Sequence, residues 1–244
     1  MSRQSLPFAD LYHVGPHKAA STTIHRLLLP LFKNAEVLKA IDGPVYGHEV
    51  IPVASQKGIP LIYTNESLVG SIYEPSTTAI EEIKHINPNA QILIVRRELS
   101  GWATSLYRQS VKGGETLRFQ EFCRKLHTTG KLNIEQTIRE CEKILPGQIT
   151  VLDFDTVVSD PQTTLKIIAA TLNLDEPKFD GNLPRLKQSA GDLTVIAMRL
   201  HNSRSVGKVF FQLLITICRI IDSLTKRKIR IFQYASNVTV QRIN

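Results

Sequence analysis

In "YHVGPHKAASTTIHRLLLP" (residues 12–30), Gly15 is followed by Lys18, and three residues further on by three consecutive hydroxyls, Ser21, Thr22 and Thr23. A glycine turn leading into a helix presents backbone N–H groups, and the helix adds the positive end of its dipole. Such a turn holds a phosphate or a sulfate. A magnesium-dependent nucleotide triphosphatase needs a second glycine and a hydroxyl directly after the lysine; this stretch has neither, which disfavours an ATPase or kinase. A second group lies in "ILIVRRELSGWATSLYRQS", where an apolar run ends in Arg96 and Arg97 and Ser105 follows Arg97 by eight residues. A guanidinium offers a planar fork for bidentate phosphate binding. Alternation along a strand sends the two arginines to opposite faces, and Arg97 is the candidate for the site. Groups able to take a proton stand at Glu66 in "IYTNESL" and at His48 and Glu49 in "YGHEV".

These residues must be placed by an alternation of strands and helices. Apolar runs predict strands at about 10–15, 58–66, 90–98 and 148–157. Helical spacing of apolar residues predicts helices at 22–32, 75–86, 100–111, 118–127, 134–144 and 163–172. Strands separated by helices imply an α/β fold: a central parallel sheet with helices on both faces, as a three-layer sandwich. In a parallel sheet Glu66 follows its strand on the same edge as the lysine loop. One α/β domain is expected over 1–198, with a C-terminal helical extension over 199–244 packed on it.

Composition narrows the classes. The chain has 244 residues and a formal charge of +8. Residues 1–198 carry 21 basic and 21 acidic residues, while 199–244 carry nine basic residues against one acid, Asp222. The whole excess lies in the C-terminal extension, so the body has no nucleic-acid-binding composition. Cys123, Cys141 and Cys218 are widely spaced and odd in number, which suggests buried thiols in a reducing cytoplasm rather than disulfides or a zinc site. The opening "MSRQSLPFADLYHVG" holds no apolar core of signal-peptide or anchor length.

The loop resembles the 5′-phosphosulfate loop of sulfotransferases, which runs lysine, two small residues and a pair of hydroxyls. Lys18, Ala19, Ala20, Ser21 and Thr22 follow that order, and Thr23 adds a further hydroxyl. The family has a glycine where Ala20 stands. The spacing of Arg97 and Ser105 resembles the family's reader of a 3′-phosphate, and Tyr107 supplies the aromatic that usually follows. "ITVLDFDTVVSDPQTTLKIIAATLNL" resembles the family's late strand and helix, so the likeness covers about 12–174 and is weakest between Phe32 and Ile59.

The resemblance implies a P-loop-like fold and 3′-phosphoadenosine 5′-phosphosulfate as co-substrate, with no metal. It assigns Lys18 to the sulfuryl and leaving-phosphate oxygens. A general base is implied at Glu66, with His48 and Glu49 as competitors; His17 is a wall residue. Lys187, in the polar loop "NLPRLKQSAGD" (182–192), stands where family members close a basic loop over the nucleotide, the other reading of that stretch being a solvated linker, and Trp102 is read as core. The implied reaction is sulfuryl transfer to a carbohydrate or glycolipid hydroxyl. The alternatives are a kinase-like phosphotransferase and a non-catalytic membrane-peripheral scaffold.

The segment "GKVFFQLLITICRIIDSLTKRKIRIF" (207–232) joins an apolar run to the basic cluster Lys226, Arg227, Lys228 and Arg230. Its apolar length falls short of the ~20 residues that span a bilayer. It is read as a helix packed on the body, as an interfacial helix on anionic lipid, or as a platform for an anionic saccharide. Association between copies is a further use, and the oligomeric state is left open.

Overall fold

The computed structural model describes residues 10–16, 18–39, 58–69, 76–129, 134–181, 191–203 and 208–224. The chain divides into two compact units, Met1–Arg97 with Asn133–Leu186, and Glu98–Leu132 with Lys187–Asn244. The boundary expected at residue 198 falls inside a helix, Asp192–Asn202.

The first unit is built on a five-stranded, all-parallel sheet ordered β2-β3-β1-β4-β5. The strands are β1 (Leu11–Val14), β2 (Glu36–Lys39), β3 (Leu61–Asn65), β4 (Gln91–Arg96) and β5 (Ile149–Asp153). The three middle strands are apolar on both sides, and their residues alternate between two cores. Leu11, Ile62, Leu93 and Val95 face one layer, which contains Leu28 and Leu29 and the helix α7 (Pro161–Leu172). Tyr12, Leu61, Tyr63, Ile92 and Ile94 face the other, with α2 (Thr78–Ile86) and α5 (Ile134–Ile144). This is the expected three-layer arrangement, and it follows from period-two alternation in strands buried on both faces.

Local signals set the element ends. Asp160 caps α7 by accepting from the Thr163 amide at 3.0 Å, and Pro161 takes the first helical turn, where its missing N–H is harmless. Asn173 ends the helix in the left-handed conformation, φ 54°. At the amino edge of the sheet, the Asp10 carboxylate accepts from the Leu61 amide at 2.7 Å and from the Asn87 side chain at 2.9 Å.

Two expectations need correction. β2 lies in a stretch read without a strand; among the described residues it is a four-residue edge strand paired with β3, too short to stand out as a pattern. The strand expected through residue 157 ends at Asp153, and the chain turns into α6 (Phe154–Ser159). Its neighbour among the described strands, β4, ends at Arg96 opposite Asp153. Past that point the backbone has no ladder to join, and a helical turn satisfies it while burying Val157.

The second unit is helical: α3 (Leu99–Lys112), α4 (Phe119–Thr128), α8 (Asp192–Asn202) and α9 (Lys208–Leu224). Glu98 caps α3, its carboxylate accepting from the Ser100 and Gly101 amides at 2.7 Å. Asp192, expected in a loop, opens α8 and is fully buried against Arg108, with Nη2 to Oδ1 at 2.5 Å. Tyr107 packs edge-on against Phe119 with ring centroids 5.2 Å apart, and its hydroxyl donates to the Leu117 carbonyl at 2.9 Å. Cys123 and Cys141 are buried free thiols, pushed by burial up to about 12 and about 11, and Cys218 is half-buried.

Candidate active site

Strands β1 and β3 end together, and β4 runs two residues further. Val14 is in register with Asn65 on one side and with Ile94 on the other. Gly15, Glu66 and Arg97 therefore leave three adjacent strands at one carboxyl edge, where open parallel sheets hold ligands.

Gly15 is required by a close approach. A Cβ there would lie 2.5 Å from the Glu66 carbonyl oxygen and 2.7 Å from Val69 Cγ2. The loop then passes through a cis Gly15–Pro16 peptide bond and two left-handed residues, Lys18 at φ 67° and Ala20 at φ 60°. Ala20 occupies the place where the resembling family has glycine, and the backbone conformation gives the reason. The loop opens helical turns at Ser21–Thr23, Ile24–Leu28 (a π turn) and Leu29–Leu31. The Ile24 amide closes the first turn on the Ala20 carbonyl at 3.0 Å. Ala19 and Ser21 are buried, while Lys18, Thr22 and Thr23 are half-buried.

Two contacts tie the loop to the neighbouring strands. The Ser21 hydroxyl donates to Glu66 Oε1. The Arg97 Nη1 donates to the Lys18 carbonyl at 2.9 Å, and its guanidinium carbon sits 4.1 Å above the centre of the Phe154 ring. The negative face of the ring attracts the cation and helps to fix its position. Arg96 is engaged differently: it donates to Asp153 at 2.9 Å and to Glu135 at 3.3 Å on the exposed side, and these bonds raise its pKa.

Sequence reading passed over His13, Thr64 and Phe154. His13 Nδ1 and Thr64 Oγ1 meet at 2.8 Å across β1 and β3, both buried. Burial pushes the imidazole down to about 4, against a smaller opposing pull from the Glu66 charge. The ring is therefore neutral at pH 7. A histidine and a threonine in otherwise apolar strands were the available signal. Phe154 follows Asp153 as Arg97 follows Arg96, a pairing set by the register of β4 and β5.

Lys18, Ser21, Glu66 and Arg97 are thus brought together. Ser105 is half-buried on α3 in the second unit, where Trp102 is buried. His17, His48, Glu49 and Lys187 lie outside the described residues. Among the described residues, no cluster of three or more His, Cys, Asp or Glu side chains could hold a metal.

The sequence model of the Sulfotransferase family matches residues 57–178, half of the chain. The chain belongs to the sulfotransferase family. The matched segment runs from β3 to beyond α7 and contains Glu66 and Arg97; the sulfotransferase-like lysine loop lies upstream of it. The family assignment displaces the kinase-like alternative. The crystal structure of a sulfotransferase from Alicyclobacillus acidocaldarius superposes with a TM-score of 0.50 at 15% identity, over 86% of this chain and 97% of that one. At that identity the likeness concerns the fold. No curated protein matches in sequence.

The residues present suit a doubly anionic nucleotide. The site has a lysine loop with left-handed turns, hydroxyls at its helical end, and a guanidinium one hydrogen bond from the lysine's own backbone. Glu66 is the carboxylate that the Ser21 hydroxyl engages.

Proposed function

We propose that this chain moves a sulfuryl group from 3′-phosphoadenosine 5′-phosphosulfate to a hydroxyl of a carbohydrate or glycolipid. The observation that carries the reading is the hydrogen bond joining Arg97 to the Lys18 backbone. It sets two cationic side chains at one carboxyl edge, as a ligand with anions at both ends requires. When bound, the donor supplies an activated sulfuryl group on its 5′-phosphate.

The chain's part is binding, charge stabilisation and proton removal. Lys18 neutralises charge on the leaving phosphate, the Thr22 and Thr23 hydroxyls donate to it, and Arg97 holds the 3′-phosphate. Glu66 takes the acceptor proton, its carboxylate oriented by the Ser21 hydroxyl. Charge-assisted hydrogen bonds of this kind contribute about 1.5–3 kcal/mol each. The acceptor class is supported by the loop, which resembles the carbohydrate-sulfating branch of the family more than the branch acting on small phenols.

Thermal unfolding tests the binding. A ligand held only by the folded chain stabilises it by about 2.7 kcal/mol at a hundredfold excess over Kd, or ~5–10 °C at this size. Adenosine 3′,5′-bisphosphate gives that shift and ATP with magnesium does not; the reverse result overturns the reading. Transfer of labelled sulfate to a panel of oligosaccharides and glycolipids then tests catalysis. A bisphosphate shift with no transfer to any of them favours the scaffold.

A further inference from the structure

Helix α9 carries apolar side chains on two opposite faces. On one, Phe211 stacks on His201 with ring centroids 3.8 Å apart, Ile215 is buried, and Asp222 accepts from the Thr194 hydroxyl at 2.6 Å. These contacts fasten α9 to α8. On the other, Leu213, Ile217, Ile220 and Ile221 are 59%, 44%, 52% and 39% exposed. Their spacing of four, seven and eight residues from Leu213 places them along a single ridge. Gln212, Thr216 and Arg219, all exposed, form a polar stripe beside it.

A ridge of four large aliphatic side chains in water needs an occupant. The charge distribution names it. The excess of +8 lies wholly within 199–244, and Lys226, Arg227, Lys228 and Arg230 follow α9 directly in sequence. A second copy seated ridge to ridge in parallel would bring two such cationic segments together, and in an antiparallel pairing it would leave their charge unanswered. An anionic surface that is apolar beneath answers both features. No described helix is long and apolar enough to cross a membrane, so the contact lies in the interface plane.

We propose that α9 docks this chain on the surface of an anionic lipid bilayer, with Leu213, Ile217, Ile220 and Ile221 inserted among the acyl chains and the excess positive charge of 199–244 supplying the attraction to anionic lipid. The docking is independent of the transfer reaction.

Flotation of the full chain with phosphatidylcholine vesicles, with and without phosphatidylglycerol, tests it. The chain floats with the anionic vesicles alone, and raising salt from about 0.1 M to about 1 M releases it. Replacing Lys226, Arg227 and Lys228 by Gln weakens partition roughly 100-fold, at about fivefold per charge. Leu213→Ser and Ile220→Ser, each at an exposed position, weaken it about tenfold apiece, with the melting temperature kept. Failure to float with anionic vesicles overturns the proposal. So does flotation indifferent to both serine variants, or a dimer in light scattering that those variants dissociate while no vesicle binding occurs.

Discussion

The Lys18 carbonyl oxygen accepts a hydrogen bond from the Arg97 guanidinium at 2.9 Å, so the residue that follows β4 and the loop after β1 are tied together. The adjacent Arg96 is taken up by Asp153 and Glu135. Arg97→Ala is expected to weaken adenosine 3′,5′-bisphosphate binding about 10–100-fold, the loss of charge-assisted hydrogen bonds. Arg97→Lys recovers little of it, because an ammonium lacks the planar fork. Arg96→Ala changes affinity less than about twofold, since its exposed ion pairs contribute little. Titration calorimetry on the three variants decides, and a larger loss at Arg96 reverses the assignment.

Gly15→Ala is expected to destabilise the fold by about 2–3 kcal/mol, ~5–10 °C in Tm. The added methyl meets the Glu66 carbonyl at 2.5 Å, and backbone on both sides must shift. An unchanged melting curve would mean that the loop and the turn after β3 are not in contact.

Ala20→Gly should act in the opposite direction. At φ 60° an alanine pays the left-handed penalty, part of which is returned by its stiffer unfolded chain. The substitution stabilises by up to about 1 kcal/mol, ~2–4 °C. Differential scanning calorimetry would register it, and a fall in Tm would contradict the loop conformation.

How much of this was readable beforehand differs by residue. The long apolar run of β4 and the helical spacing of α3 and α7 are consequences of burial, which leaves a periodic trace, and the order of layers followed from them. The lysine loop was visible because glycine, lysine and hydroxyls are local in sequence. The bond from Ser21 to Glu66 spans 45 residues and leaves no local trace. Nor does the seat of Arg97 on Phe154, which depends on register between β4 and β5. β2 is short and lies at an edge, where pairing rather than composition defines the strand. Asp192 read as loop because it closes a polar stretch; its burial is explained by Arg108, 84 residues away.

If Glu66 removes the acceptor proton, Glu66→Gln lowers kcat by about 10²–10⁴ while bisphosphate affinity stays near wild type. Ser21→Ala removes the hydroxyl that holds the carboxylate and lowers kcat about 5–10-fold, the equivalent of one hydrogen bond. Steady-state kinetics with a fixed acceptor separates the two. Equal losses in both variants would make Glu66 a loop-holding residue and shift the search for the base to His48.

His13 links the site to pH. Buried beside Thr64, it titrates at about 4 in the folded chain against an ordinary 6.5. Between those values the unfolded chain binds a proton that the folded chain excludes. Stability is therefore complete above about pH 6.5 and is lost as pH falls toward 4, by roughly 3 kcal/mol in all. Asn at this position can still hydrogen-bond Thr64 but cannot titrate. Urea unfolding of wild type and His13→Asn across this range should give curves that diverge in slope below pH 6.5, the wild type falling more steeply. Parallel curves would show that the imidazole takes up its proton without opening the strand pair, and that acid sensitivity resides in the carboxylates.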